Sequence, residues 1–225
     1  MSRSTSHARA LGRIGALLGL ALAQAAHAAP REAPRGALLA EGLAAYARVE
    51  TEGRVKNPVL TLIDYALPSS ERRLWVFEPA TRRILFHEYV AHGRGSADPD
   101  HPERAVRFGN GVGSLRSSLG TFLTGEAYTG MHGFSLRLLG LEPGRNDRAE
   151  ERAIVMHPAD YVSRAFRLRT GRLGRSFGCP ALDPAAAPRI IERIRSGSVL
   201  YAGGPPASSR SRALSSSRSS AASWP

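Results

Sequence analysis

Cysteine is nearly missing from this chain, since Cys179 is the only one in 225 residues. A lone thiol excludes an internal disulfide framework, a CxxC redox pair and a cysteine-based zinc site. It leaves three roles open: an intermolecular link, a buried inert thiol, or a reactive one. Lysine is as scarce, with Lys56 the single lysine among 31 basic residues. That skew reads as the coding bias of a GC-rich genome. Long apolar runs are missing too. The run at 14–23 is about half of the roughly 20 residues that span a bilayer, which argues against a permanent membrane anchor.

The ends of the chain are short of acid. Arg3, Arg9 and Arg13 precede the 14–23 run, and Ala26-His27-Ala28 follows it as a small-residue cleavage site. A basic segment, a short apolar run and an A-x-A site read as a secretory signal over 1–28, so the mature chain is expected outside the cytoplasm, in the periplasm or cell envelope. Residues 29–36 read as a linker. Residues 204–225 hold nine serines, three prolines, three arginines and no acid, the composition of a disordered tail. Between them lies one expected domain, 37–203. The +12 net charge falls to +6 over residues 29–203 once the six arginines of the two ends are set aside. The remaining basic residues are spread rather than clustered, without the basic, aromatic-interleaved patch of a nucleic-acid binder. An anionic partner in the cell envelope stays compatible.

Within the domain strand signals dominate. Apolar positions at helical spacing predict a helix over 37–49. Residues 59–65, 73–77 and 84–90 read as strands, the last two joined as a hairpin through Glu78-Pro79-Ala80-Thr81. Asp64, His87 and Glu88 fall on these strands and are expected to face outward, not to hold a metal. Residues 91–120 are loop-rich. Gly109, Gly111 and Gly113 lack the lysine and hydroxyl residue of a phosphate loop. Short strands are expected at 121–124 and 134–138, a turn at 128–133, and a polar, turn-like stretch at 142–151. A buried strand at 153–156 delivers His157 to its end. A helix over 183–195 has its start pushed later by Pro188, and 199–201 is a last strand. The fold class is mainly β with one or two peripheral helices.

The chemistry centres on Gly171-Arg172-Leu173-Gly174-Arg175-Ser176-Phe177-Gly178-Cys179-Pro180. Cysteine attacks as thiolate, and a paired histidine serves as its base. His157 precedes Cys179 by 22 residues, room for a strand, a loop and a return. The order histidine-then-cysteine disfavours papain-like enzymes. No aspartate is obvious as a third member, and a backbone carbonyl such as that of Pro158 can orient the ring instead. The amides near Gly178 and Cys179 are candidate oxyanion donors. Ser176 is read as shaping the loop. His132 and Gly133 form a turn that can line a cleft, and Arg172 and Arg175 can bind carboxylates; ordinary turn and surface roles stand beside these readings.

Val155-Met156-His157-Pro158-Ala159-Asp160-Tyr161-Val162-Ser163, followed by Ser176-Phe177-Gly178-Cys179-Pro180, resembles the active-site signature of the L,D-transpeptidases. More narrowly it is similar to the murein L,D-transpeptidase catalytic-domain branch of the YkuD-like superfamily. Ser118-Leu119-Gly120-Thr121-Phe122 resembles the family's strand entry, and the likeness covers roughly residues 55–203. It implies a β-sandwich catalytic domain acting on peptidoglycan stem peptides, with Cys179 as nucleophile, His157 as base held by the Pro158 carbonyl, and no metal or organic cofactor. The acyl-enzyme would pass to a second stem, giving a 3→3 cross-link, or to water. Two residues depart from the pattern: Phe177 stands in place of a histidine, and Ala181 in place of an arginine or asparagine. An L,D-carboxypeptidase or amidase on the same fold, and a non-catalytic peptidoglycan-binding module, are the alternatives; oligomeric state is not legible.

Overall fold

Helix α1 (Gly36–Thr51) buries the stripe Leu38, Ala45, Tyr46 and Val49. Gly42 lets it lie close to the sheet, because a Cβ there would collide with Leu62. The computed structural model describes residues 33–206. The expected leader at 1–28, the start of the 29–36 linker and most of the 204–225 tail therefore lie outside the described residues.

Nine strands follow: β1 (Leu60–Asp64), β2 (Leu74–Glu78), β3 (Arg83–Glu88), β4 (Val90–Ala91), β5 (Gly120–Gly130), β6 (Gly133–Gly140), β7 (Val155–Pro158), β8 (Ala181–Leu182) and β9 (Val199–Gly203). They join in the order β3-β2-β1-β9-β5-β6-β7-β8-β4, a nearly closed sheet that gives the mainly β fold expected from the sequence. β1 with β9 and β7 with β8 run parallel. All five residues of β1 are buried, as a strand covered on both faces requires. On one face Leu60, Leu62, Trp75 and Phe77 meet α1. On the other, Ile63, Val76, Leu136 and Met156 meet Ile190, Ile191 and Ile194 of α3 (Ala187–Ile194).

The expected helices at 37–49 and 183–195 are present as α1 and α3. The second starts late, with Pro188 in its first turn, where a missing amide costs least. Helix α2 (Arg164–Thr170) is additional, and it buries no residue. Its ends carry ordinary cap chemistry: Ser163 Oγ accepts the Phe166 amide at 3.2 Å, and Gly171 takes the left-handed conformation at φ 73°. The hairpin arms β5 and β6 run well past the expected 121–124 and 134–138, absorbing an irregularity between Thr124 and Ala127.

One expectation is overturned. Asp64 does not face outward but is fully buried. Arg35, just before α1, grips it through Nε–Oδ2 at 2.5 Å and Nη2–Oδ1 at 2.8 Å, while the Ala66 amide donates to Oδ1 at 3.0 Å. The carboxylate is satisfied inside the fold because its cation comes from the segment read as a linker. His87 is also engaged, stacked on Trp75 with ring centroids 4.7 Å apart. Arg35→Ala strands a buried carboxylate and is expected to cost about 2–3 kcal/mol, toward the low end for a broken buried pair because Arg35 is partly solvated. Chemical denaturation checks this, and Arg35→Ala/Asp64→Asn should recover part of the loss.

Candidate active site

His157 enters on β7. Met156 points into the core and His157 to the opposite side, as period two requires. His157 as a residue is 4% exposed, and its Nδ1 sits 2.9 Å from the Pro158 carbonyl oxygen. A carbonyl only accepts, so Nδ1 carries the proton and Nε2 is left basic. The His132 ring, from the β5–β6 turn, stacks on His157 with centroids 4.5 Å apart. Burial lowers the His157 pKa below the usual imidazole value; the Pro158 hydrogen bond raises it and the His132 charge lowers it further.

The thiol arrives on the loop before β8. β8 pairs parallel with β7 in the register His157 opposite Ala181 and Pro158 opposite Leu182, so Cys179 lies two residues from the base's partner across one ladder. The loop is held from several directions. Ser176 Oγ donates to the Cys179 carbonyl at 2.6 Å and accepts the Gly178 amide at 3.1 Å. The Ser176 amide donates to the His92 carbonyl, and the Ser176 carbonyl accepts from the Arg94 amide. Ser117 Oγ accepts the Gly93 amide at 3.0 Å and donates to the Gly178 carbonyl at 3.3 Å. Gly178 has φ +128°, and a Cβ on it would lie 2.9 Å from the Arg116 carbonyl oxygen. Only glycine fits that backbone and that space.

Behind this splint His92 and Arg73 are both fully buried. Arg73 donates to the Val90 and Leu67 carbonyls and to His92 Nδ1 at 2.8 Å, which makes His92 neutral with its proton on Nε2. Burial holds the His92 pKa well below the imidazole range and pushes Arg73 down to about 10.

The cleft over these groups has a volume of about 560 Å³ and is lined by His132, His157, Tyr161, Arg175, Ser176, Phe177 and Cys179 among others. Of the residues expected in the site, Arg172, Gly133 and the buried Gly178 do not line it. Arg172 folds back to donate to the Leu173 carbonyl at 3.1 Å, and Gly133 closes the β5–β6 turn, 3.5 Å from the Pro158 ring if given a Cβ. Pro158 lines the cleft, as does Asp160, which opens the turn after β7. The Gly178 amide is already committed to Ser176 Oγ, whereas the Cys179 amide, like those of Arg175 and Phe177, has no acceptor among the described residues. Burial pushes the Cys179 thiol above its usual pKa, while the Val155 amide and Arg152 pull it down. Tyr161, which sequence reasoning passed over within a quoted motif, is pushed up to about 12 by burial and then by the cysteine charge. Phe177 and Met131 form an exposed apolar rim, 66% and 93% accessible, with the Arg94 guanidinium 4.8 Å from the Phe177 ring centroid.

A family model described as L,D-transpeptidase catalytic domain matches residues 32–202. Among curated proteins no sequence matches. Solved structures similar to the chain include an L,D-transpeptidase from Mycobacterium smegmatis (15% identity, TM-score 0.37, covering 65% of this chain and 58% of that one). The helical cell shape determining protein Pgp2 from Campylobacter jejuni is another (14% identity, TM-score 0.42, 67% and 49%). A third is L,D-transpeptidase 1 from Mycobacterium tuberculosis (11% identity, TM-score 0.38, 66% and 62%). The chain thus spans between half and two thirds of the length of these structures.

His132→Asn removes a charge that repels protonated His157 and uncovers part of its ring, and both changes favour the imidazolium. The NMR titration midpoint of His157 is expected to rise in this variant. A midpoint that stays or falls refutes the coupling.

Proposed function

The chain belongs to the L,D-transpeptidase catalytic-domain family, which acts on peptidoglycan, and from that premise we propose that it is a cysteine acyltransferase of stem peptides with Cys179 as nucleophile and His157 as base. One observation carries the proposal: His157 on β7 and Cys179 on the loop entering the paired strand β8 face one cleft, with His157 Nε2 left basic. His157 Nε2 takes the thiol proton as the sulfur attacks the carbonyl on the L-centre of diaminopimelate in a tetrapeptide stem. The carbonyl π pair moves to oxygen, where the Cys179 amide faces it as donor. Collapse breaks the amide bond, and His157 returns the proton to the departing D-alanine amine. The second half repeats this in reverse with an incoming amine, giving a 3→3 cross-link, or with water, giving a tripeptide. Arg175 and His132 lie where substrate carboxylates and carbonyls would pass. No step calls on a metal or organic cofactor. The signal-like composition of residues 1–28 supports a location in the periplasm or cell envelope.

Burial raises the thiol and lowers the imidazole, so the resting pair is neutral thiol and neutral histidine and not an ion pair. The working form is lost below the lowered histidine pKa and above the raised thiol pKa. The plateau of kcat/KM should therefore extend past the ordinary imidazole value on the acid side and past the ordinary thiol value on the alkaline side. A narrow optimum inside those limits would contradict it.

Purified protein incubated with tetrapeptide muropeptides should release D-alanine and form dimers detectable by mass spectrometry. Cys179→Ala should lower the rate at least about a thousandfold. Tripeptide monomers without dimers would reassign the reaction to a carboxypeptidase, and undiminished activity in Cys179→Ala would remove the nucleophile.

A further inference from the structure

Arg152 ends the polar turn before β7, and its guanidinium is tied entirely to neutral oxygens. Nη1 donates to the Gly109 carbonyl at 3.0 Å and to Ser118 Oγ at 2.6 Å, and Nη2 donates to the Arg116 carbonyl at 2.5 Å. Nearby Arg148 pairs with Glu151 and Arg145 with Glu142, but Arg152 has no carboxylate partner among the described residues. Its charge is therefore held in place without being neutralised. The place is beside the nucleophile: a Cβ built on Gly178 would lie 3.1 Å from Arg152 Nη2.

The residues after Arg152 turn toward the same sulfur. Ala153 sits at φ +51°, a left-handed conformation that a residue with a Cβ adopts only at a cost. Beyond that turn the Val155 amide donates to Cys179 Sγ at 3.5 Å, and the thiol donates to the Ala153 carbonyl at 3.8 Å. One short segment thus brings an N–H donor to the sulfur and a fixed cation to the adjoining Gly178, and neither residue lines the cleft that holds His157.

We propose that Arg152 is the fixed counter-cation of the Cys179 thiolate, a positioning residue that lets a half-buried sulfur keep its electron pair when its proton passes to His157. The proposal rests on Cys179 being the nucleophile. The electrostatics agree in direction, because Arg152 favours the ionised thiol and the ionised thiol favours charged Arg152. The other ionisable groups around the sulfur do not supply this charge. Tyr65 after β1 and Tyr161 in the turn after β7 are both pushed up to about 12 and stay neutral. His157 on β7 is held below the imidazole range. His132 and Arg175 line the open cleft, and of the charged groups Arg152 alone acts on the thiol.

Cys179 is the one thiol in the chain, so alkylation by iodoacetamide reads its ionisation directly, without substrate. The rate is measured against pH for the wild type, Arg152→Gln, Arg152→Lys and Ser118→Asp. The last variant sets a carboxylate beside Arg152 and neutralises the guanidinium while leaving its ties to the two carbonyls. The alkylation midpoint should rise by about one pH unit in Arg152→Gln, rise in Ser118→Asp as well, and rise least in Arg152→Lys. A reactive thiol whose midpoint is unmoved in both neutralising variants overturns the role of Arg152 and leaves the nucleophile intact. Where Arg152→Gln fails to fold, Ser118→Asp decides alone. A wild-type thiol unreactive at every pH overturns the nucleophile itself, and this proposal with it.

Discussion

The pairing of β7 with β8 is the constraint on which the site depends. These strands have four and two residues, too few to hold a ladder unaided. Their register decides everything, because a slip by one residue would turn His157 from the cleft into the core. The rest of the fold reads as support for that register. α3 covers the buried face beneath Met156 and Leu182 with three fully buried isoleucines. β4 pairs along the far side of β8, Val90 opposite Leu182 and Ala91 opposite Ala181. Beyond β4 the chain stays beside the cysteine loop through the Gly93–Ser176 bridge. Gly93 is glycine for that reason: a Cβ would collide with the Leu115 carbonyl and fall 2.8 Å from the Gly178 Cα.

Burial then sets an electrostatic problem that the same scaffold answers. Enclosing the thiol and the imidazole keeps both neutral, which spares the resting protein a buried ion pair. It also makes the thiolate costly just when it is needed. Two cations behind the cysteine loop, Arg73 and Arg152, form no ion pair among the described residues, although Asp64 and Glu71 act on Arg73 from a distance. Arg73 is fully buried on two carbonyls, one imidazole nitrogen and the face of Tyr65, and Arg152 is held by two carbonyls and one hydroxyl. By contrast, α1, the 142–151 turn and the β2–β3 hairpin carry arginines matched to carboxylates. Of the residues lining the cleft with Cys179, Asp160 alone is acidic.

Much of this was legible in the sequence, in proportion to how local the signal is. The apolar run ending in His157, the serine-phenylalanine-glycine-cysteine loop and the order of the two residues carry the site on their own. α1 follows from periodicity, whereas β5 and β6 outrun the short strands expected at 121–124 and 134–138. α2 was hidden because its seven residues hold three arginines and bury nothing; only Ser163 and Gly171 mark its ends. β8 is too short to show alternation. Asp64 looked like a surface residue because its partner Arg35 lies 29 positions earlier, in a segment with a linker's composition. Arg152 is one arginine in an arginine-rich chain. Its meaning lies in which oxygens it meets, and these come from a loop 34 to 43 residues away.

Phe177 brings these threads together. Where the family pattern has a histidine beside the glycine and cysteine, this loop has a ring that neither gives nor takes a proton. The structure turns it outward under Arg94 and leaves it as rim. The proton traffic of the cleft then falls on the β7 imidazole, with stacked His132 as its neighbouring ring. In the proposed reaction a single base serves both halves, receiving the thiol proton and later the proton of the acceptor. On that proposal the outcome turns on which acceptor reaches His157 Nε2 first. The apolar rim of Phe177 and Met131 would then disfavour loosely held water at the mouth, and the polar wall of His132, Arg175 and Tyr161 would orient an incoming amine.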